Sequence, residues 1–576
     1  MNVTIIDGYT DEPACLGVPP YLSPLPRYIY GAARTAGHDV RYITIDEYRK
    51  SSHKLRCISE SELLVLIAGA IVPGKYIRAM PISVGETADI GERFECEKIL
   101  AGGAAKFGFF AAGITGREKR MGTGESKTSQ YNIYKSLYDH VCTGDADAFV
   151  FDILNGEYSC YRNRSIEEWR TWSVAGAEVV RQHPDFPQPL ICEIETYRGC
   201  VRYKCGGCSF CVEPLSGEPV FRDAADIVAE VSALGAAGVT NFRLGAQTCF
   251  YSYKALGIGE TETPTPQPDE IRRILGGIRN EVPWLHVLHL DNANPAVIAE
   301  HPNESAEITK TICELCTPGN CVAFGMESAD VDVVRANNLN ATAEQVMMAV
   351  ELLNKYGAGR GYNGMPLFLP GINIVCGLMG ETKKTYSENY DFLKSILDRG
   401  LLIRRINIRQ VADFKYTSSP FNTEKNRAVF LSFKKRVREE IDREFLKRIL
   451  PEWTIVTDLY PEGVIDGVTF CRQIGTYPVL IGIPYLLHPI QQKCSGQVCS
   501  FFSAVITGHG YRSVTGFEYP FHVNNHDLKA LESLPGIGRK RAIRIKIRQP
   551  IKNENELADA VGDENIAKKL KPFIVY

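Results

Sequence analysis

Four cysteines, Cys200, Cys205, Cys208 and Cys211, fall within twelve residues of one loop, ETYRGCVRYKCGGCSFC at positions 195–211. No other stretch restricts the chain as much. Thiols at this density act as metal ligands far more often than as disulfide partners in a chain without secretory features. Structural zinc sites usually draw cysteines in pairs across a long spacer, so four in one loop disfavour zinc. The run Cys205-x-x-Cys208-x-x-Cys211 matches part of the bacterial ferredoxin pattern. Two readings stay open on the residues alone. One is a closed electron-transfer cluster completed by Cys200 or a remote cysteine, and the other is an open cluster held by three thiolates.

The 576 residues are too many for one core, so roughly three to five domains are expected. Eighteen cysteines without a basic, apolar leader imply reduced thiols and a cytoplasmic setting. The longest apolar run, 63–72, is half a bilayer span, so no membrane partner is expected. A net charge of −3 gives no global pull on nucleic acid, and any such contact needs a local basic patch.

Residues 1–155 alternate strands with helices, and apolar runs at 3–7, 40–45 and 63–71 predict a doubly wound parallel sheet. Gly69, Gly102, Gly103 and Gly144 fall at strand carboxyl ends, where such sheets bind ligands. A connector, 156–188, carries Trp169 and Trp172. Six strands at 190–196, 241–245, 285–290, 321–327, 371–377 and 404–409 alternate with helices, predicting a partial (β/α)6 barrel over 189–412. Residues 413–452 read as a charged helical linker with a solvated face, and 453–520 as a small β-barrel. A helix-hairpin-helix closes the chain at 521–576. Its turn, with Gly536, Gly538, Arg539 and Lys540, could seat a phosphate of a nucleic acid or serve as a protein dock.

Arg198-Gly199-Cys200 after a strand, and Cys208-Ser209-Phe210-Cys211, resemble the signature of the radical S-adenosylmethionine superfamily. The resemblance implies a [4Fe–4S] cluster held by Cys200, Cys208 and Cys211, with one iron left open to S-adenosylmethionine. The family usually has three residues between its first two ligands and this chain has seven, so Cys205 is a spare thiol or replaces Cys200. Glu327 and Ser328 match the fourth-strand motif that reaches the ribose and methionine of the ligand. Gly377 lies in a turn resembling the family's adenine-side motif, with Met379 in place of proline. Gln247 stands where an amine-binding glutamate is usual, Arg409 could reach the carboxylate, and Phe210 completes the ligand-binding set. Cys313, Cys316 and Cys321, or Cys494 and Cys499, read as spare thiols before an auxiliary cluster.

The first domain resembles the cobalamin-binding domain that precedes many of these enzymes, through Pro20-Tyr21-Leu22, Gly102-Gly103 and Gly144-Asp145. It lacks the Asp-x-His-x-x-Gly motif, and an empty Rossmann-like docking domain is the alternative. The small barrel resembles those appended to RNA-modifying radical enzymes. The whole layout resembles archaeal-type proteins of this superfamily with a terminal helix-hairpin-helix. It implies cobalamin-dependent methylation of an unactivated carbon in protein or RNA, with electrons from a donor such as ferredoxin or flavodoxin. Methylthiolation or another radical modification without cobalamin is the alternative enzyme. A non-catalytic iron–sulfur protein that binds nucleic acid is the alternative outside enzymes.

Overall fold

Strand β3, Leu63–Ile67, is apolar on both faces and fully buried, which is what a central parallel strand requires. It pairs with β1, Asn2–Asp7, and with β4, Glu97–Ala101; β2, Asp39–Thr44, and the short β5, His140–Val141, form the edges. The parallel order is β2-β1-β3-β4-β5, so the chain reverses direction across the sheet between β1 and β3. In such sheets the crevice beside that point is the ligand site. Gly102 follows β4 at φ +91°, and an added Cβ would lie 2.6 Å from the Ala68 carbonyl oxygen. Close approach of two strand ends therefore requires that glycine. The computed structural model describes residues 1–9, 21–50, 58–69, 79–107, 136–158, 162–411, 426–487 and 501–576. Cys494, Cys499 and part of the N-terminal motif lie outside the described residues.

The second unit is built from β6, Cys192–Glu195; β9, Asn241–Gly245; β10, Val287–Leu290; β11, Asn320–Glu327; β12, Phe368–Cys376; and β13, Arg405–Gln410. They form two parallel three-stranded sheets, β10-β9-β6 and β11-β12-β13, joined by a bridge between Ala293 and Phe324. All six expected strands are present in one curved wall with helices outside. The cysteine loop leaves β6 and is pinched by an antiparallel pair, β7, Tyr197–Arg198, with β8, Val220–Phe221.

A closed barrel follows, ordered β14-β15-β16-β18-β17, from Ile455–Ile465, Val468–Gln473, Leu480–Ile483, Ser513–Tyr519 and Phe502–His509 respectively. It seals the amino-terminal ends of the six-stranded wall. Ile474 packs with Tyr21, Ile191, Val287 and Tyr460. The Thr476 N–H donates to His289 Nδ1 at 3.1 Å, the Tyr477 hydroxyl donates to Asp291, and Arg405 lies 3.9 Å over the Tyr477 ring. Helices Leu528–Glu532, Arg539–Arg548, Glu554–Val561 and Glu564–Leu570 complete the chain and share the barrel's core.

Two stretches differ from the expectation of linkers. Over 427–449 the charges fall on one face, while Phe430, Phe433, Val437, Ile441 and Phe445 make a buried stripe at three- and four-residue spacing. The charged segment is a packed amphipathic helix interrupted by one wide turn at Arg438–Asp442, and not a solvated spacer. Within the connector, Ile166–Ala175 is a capped helix with Trp169 and Trp172 buried.

Trp169 organises a buried polar centre. The guanidiniums of Arg164, Arg198 and Arg222 lie 4.9, 5.4 and 5.5 Å from its ring, and Arg27 and Arg164 flank Tyr28. Four carboxylates answer these four cations. Glu230 binds Arg27 and Arg222, Asp147 binds Arg164, Asp145 binds Arg198, and Glu195 lies within 3.6 Å of Arg164 and Arg198. Burial alone would raise the Glu230 carboxyl, but Arg222 and Arg27 hold it below its ordinary value. Removing one member of a buried network leaves its partners charged and dry. Glu230→Gln is therefore expected to cost about 3–5 kcal/mol of stability, read from denaturant unfolding against the wild type.

His289 supplies a pH dependence. Burial lowers its imidazole from 6.5 to about 4, against the opposing pull of the Pro318 and Thr317 backbone. The folded protein keeps the ring neutral so that Nδ1 accepts from Thr476, while the unfolded chain takes up a proton below about pH 6.5. Stability is thus complete above that pH and is lost on acidification towards pH 4, by about 2–4 kcal/mol. His289→Gln is expected to flatten this part of the unfolding-versus-pH curve.

Candidate metal centre

Strand β6 delivers Thr196 and the β7–β8 pair fixes Arg198, so the cysteine loop starts from a rigid base at the carboxyl mouth of the wall. Seven residues separate Cys200 from Cys208, and they fold as an outward excursion: one tight turn, Tyr203–Cys205, then Gly206 and Gly207 at φ +78° and +63°. These glycines turn the chain back so that Cys208 returns beside Cys200. Burial pushes the Cys208 thiol up to about 12, with Arg202 opposing and Glu327 and Cys200 adding to the rise. Burial raises Cys211 as well, and Glu213, Cys208 and Cys200 reinforce it. Cys200, Cys208 and Cys211 therefore share one electrostatic neighbourhood. Cys205 is exposed, donates to the Arg202 carbonyl at 3.2 Å, and lies beside Asn338.

Among the described residues, no three His, Cys, Asp or Glu side chains converge as ligands of a single ion. Cys208 feels the charge of Cys200, and Cys211 that of both, a proximity that suits a multinuclear group better than a single ion. Such thiols bind metal only as thiolates, so binding must release the protons that burial retains. Arg202 is placed to help. Its Nη1 lies 3.3 Å from Cys208 Sγ, while Glu262 and the Asn338 carbonyl hold the guanidinium.

Glu327 ends β11 opposite the thiols. A register shift against β12 between Gly325 and Glu327 turns its backbone to φ +62°, a conformation costly for a side chain with a Cβ. Its carboxyl is buried, and Oε2 has no hydrogen-bond partner. Burial pushes this group up to about 8, with Arg409 opposing. A strained, dry acid within electrostatic reach of the Cys208 thiol is a marked departure from ordinary core chemistry.

The other expected ligand-binding residues divide. Arg409 lies beside Glu327. Gly377, at φ +92°, donates its N–H to Glu381 at 2.6 Å and so shapes its turn. Phe210 packs in a small apolar cluster with Leu378 and Val411. The Ser328 hydroxyl accepts from the Asp330 N–H. Gln247 is engaged inside the wall: its amide donates to the Leu244 and Asp291 carbonyls and accepts from Thr196. It braces β9 against β10. Sequence reasoning missed Arg202 and Asn337. Arg202 carried a signal, being a cation inside a thiol loop. Asn337 had none, yet it ties the loop to the Gly377 turn by accepting from the Ser209 hydroxyl and the Met379 N–H.

Cys316 and Cys321 are core thiols, and Cys313 donates to the Tyr356 carbonyl. In the first domain Gly69 and Gly103 lie beside Gly102 at the strand ends, while Gly144 precedes Asp145, whose carboxylate meets Arg198 at 2.6 Å. At the terminus Gly538 caps the helix Arg539–Arg548, with Arg539 and Lys540 exposed, and Gly536 turns at φ +81°.

No family model matches the chain. An uncharacterized protein of Methanocaldococcus jannaschii is 43% identical over 523 residues, covering 89% of this chain and 92% of that one. A second, of Archaeoglobus fulgidus, is 41% identical over 582 residues, 99% of each chain. A tRNA-2-methylthio-N(6)-dimethylallyladenosine synthase of Mycobacterium tuberculosis is 23% identical over 264 residues, 44% of this chain and 43% of its own. Among solved structures, the radical S-adenosylmethionine methyltransferase TsrM of Kitasatospora setae aligns over 72% of this chain and 74% of its own. Its sequence identity is 15% and its TM-score 0.44. The cobalamin-dependent S-adenosylmethionine radical enzyme OxsB aligns over 78% and 56%, with 13% identity and a TM-score of 0.44. The chain belongs to one family with these two archaeal proteins, which it matches at 43% and 41% identity over most of its length.

Proposed function

We propose that the protein is a radical S-adenosylmethionine enzyme that methylates an unactivated carbon in a macromolecule, protein or RNA, with cobalamin as methyl carrier. One observation carries this reading: Cys200, Cys208 and Cys211 lie within electrostatic reach of one another, and Cys208 also feels the strained Glu327, whose Oε2 has no hydrogen-bond partner. Those thiols would hold a [4Fe–4S] cluster. When bound, it supplies the electron that cleaves the sulfonium of S-adenosylmethionine to a 5′-deoxyadenosyl radical.

The chain's own residues bind and orient. Arg202 stabilises the Cys208 thiolate, and Asn337 holds the loop against the Gly377 turn, which would border the adenine. Glu327 offers a buried oxygen that a ligand hydroxyl or amine would satisfy, and Arg409 stands ready for a carboxylate. Cobalamin would occupy the carboxyl ends of the first sheet, whose last turn is joined to the cysteine loop by Asp145 and Arg198. Residues 10–20, 70–78 and 108–135, which follow β1, β3 and β4, lie outside the described residues. Methylthiolation needs a second set of cluster thiols; among the described residues, Cys316 and Cys321 are buried in the core and Cys313 packs at its edge.

The deciding experiment is anaerobic reconstitution with iron and sulfide, followed by dithionite and S-adenosylmethionine. The protein is expected to hold about four irons per chain and to yield 5′-deoxyadenosine. Cys205→Ala should keep both properties, whereas Cys208→Ala or Cys211→Ala should lose both. A Cys205 variant as inert as the others would overturn the ligand assignment. Corrinoid retained by the purified protein would separate methylation from the cobalamin-free alternative.

Glu327→Gln is expected to keep its cluster iron while weakening S-adenosylmethionine binding about tenfold or more, since a hydrogen bond to a carboxylate is worth about 1.5–3 kcal/mol. Equilibrium dialysis with labelled ligand measures it, and unchanged affinity would remove Glu327 from the site.

A further inference from the structure

The terminal helix Arg539–Arg548 carries six cations and no acid in its ten residues. Ala542 and Ile545 turn inward to the core shared with the small barrel, so one face is packed and the opposite one meets solvent. The cations differ in what they meet. Beside the hairpin turn, Arg539 lies 3.9 Å from Glu532, while Arg541 pairs with Asp563 at 3.3 Å and donates to the Gly536 carbonyl. Arg544 and Lys546 donate to the Val561 and His526 carbonyls. Lys540 and Arg548 have neither a hydrogen bond nor an ion pair among the described residues. Between these two free cations the outward face is apolar. Ile543 is 39% exposed and Ile547 77%, more than any other large apolar side chain described. Spaced by four residues, the two isoleucines share one side of the helix, on the stripe that begins at Lys540.

One exposed isoleucine is ordinary, but a pair on one helix face with an unpaired cation at either end makes a contact surface. Two kinds of occupant suit the cations. A nucleic-acid backbone would seat a phosphate at the hairpin turn with cations beside it. There, however, Arg539 and Arg541 already lean towards acids, and the free charges stand about 12 Å apart along the helix axis with the isoleucines between them. Apolar side chains gain from leaving water and nothing from a phosphate. We propose that this face docks an acidic protein partner, whose apolar side chains cover Ile543 and Ile547 and whose carboxylates meet Lys540 and Arg548. The surface stands apart from the radical chemistry and does not rest on the function proposed above.

The test is fluorescence anisotropy of a labelled helical peptide, a leucine stripe framed by glutamates, titrated with the full chain at several salt concentrations. Ile547→Ser is expected to weaken binding at least about fivefold through loss of one apolar anchor, and Ile547→Leu to restore it. Lys540→Ala with Arg548→Ala should weaken binding at low salt and flatten its decline as salt rises. All three positions face solvent, and an unchanged melting temperature would verify that the variants fold. Polyglutamate, duplex RNA and phosphatidylglycerol vesicles are titrated beside the peptide and are each expected to bind more weakly. The proposal is overturned if the wild type does not bind the peptide, if Ile547→Ser binds it as the wild type does, or if polyglutamate, RNA or vesicles bind as tightly. Intact peptide binding without 5′-deoxyadenosine formation would sink the proposed enzyme and leave this surface standing.

Discussion

The buried charge centre around Trp169 and Tyr28 is the interaction on which the working geometry rests. Arg27 comes from the first helix of the chain, Arg164 from the connector, Arg198 from the cysteine loop and Arg222 from the far side of that loop. Their carboxylate partners come from the same scattered places. Each ion is too dry to remain charged alone, so the network is stable only when the first sheet, the connector and the wall are assembled together. Burial would raise Asp145, yet Arg164 and Arg198 bring it to about 2, which gives the sign and size of that mutual dependence. A purely apolar interface of equal area would let one sheet slide on the other. Directional ion pairs and cation–π contacts do not.

The opposite end of the wall is closed by a different device. A short run of the small barrel, from Ile474 to Tyr477, enters the amino-terminal mouth and engages His289, Asp291 and Arg405. The wall is two three-stranded sheets and not a closed barrel, so its lumen must be filled or wetted. Tyr477 and the Arg243–Glu193–Asp291 cluster fill it, leaving the carboxyl end as the open one. Segments far apart in sequence thereby meet inside one wall.

Much of this was legible in the residues. Strand 63–67 is a continuous apolar run because both of its faces are buried, and burial of that kind leaves its mark in composition. The cysteine cluster was legible for the same reason that it is reactive, since few other chemistries place four thiols in one loop. What was not legible depends on side-chain direction and distant partners. The sequence 427–449 looks solvated because its charges outnumber its apolar residues, and only the three-and-four spacing of Phe430, Phe433, Val437, Ile441 and Phe445 betrays a packed face. Gln247 could not be read as a brace, because its partners, Thr196 and Asp291, come from neighbouring strands. Nothing local marks Glu327 as strained, for its positive φ arises from a register shift against β12.

That strain is the most informative feature of the site. A bulge, an outlying φ and a dry carboxyl each cost free energy, and glycine at 327 would relieve the last two. The surrounding structure over-determines the conformation, because Phe324 and Met326 are locked in the core on either side of Gly325. Such a carboxyl is unsatisfied only while its partner is missing. Its electrostatic neighbours are Cys208 and Arg409, so a ligand whose polar groups met Glu327 would lie close to the thiols. The long spacer between Cys200 and Cys208 fits the same logic, since it carries Arg202 beside Cys208 and turns Cys205 outward. The loop is thus longer than the simplest three-ligand loop because it contains its own device for stabilising a thiolate.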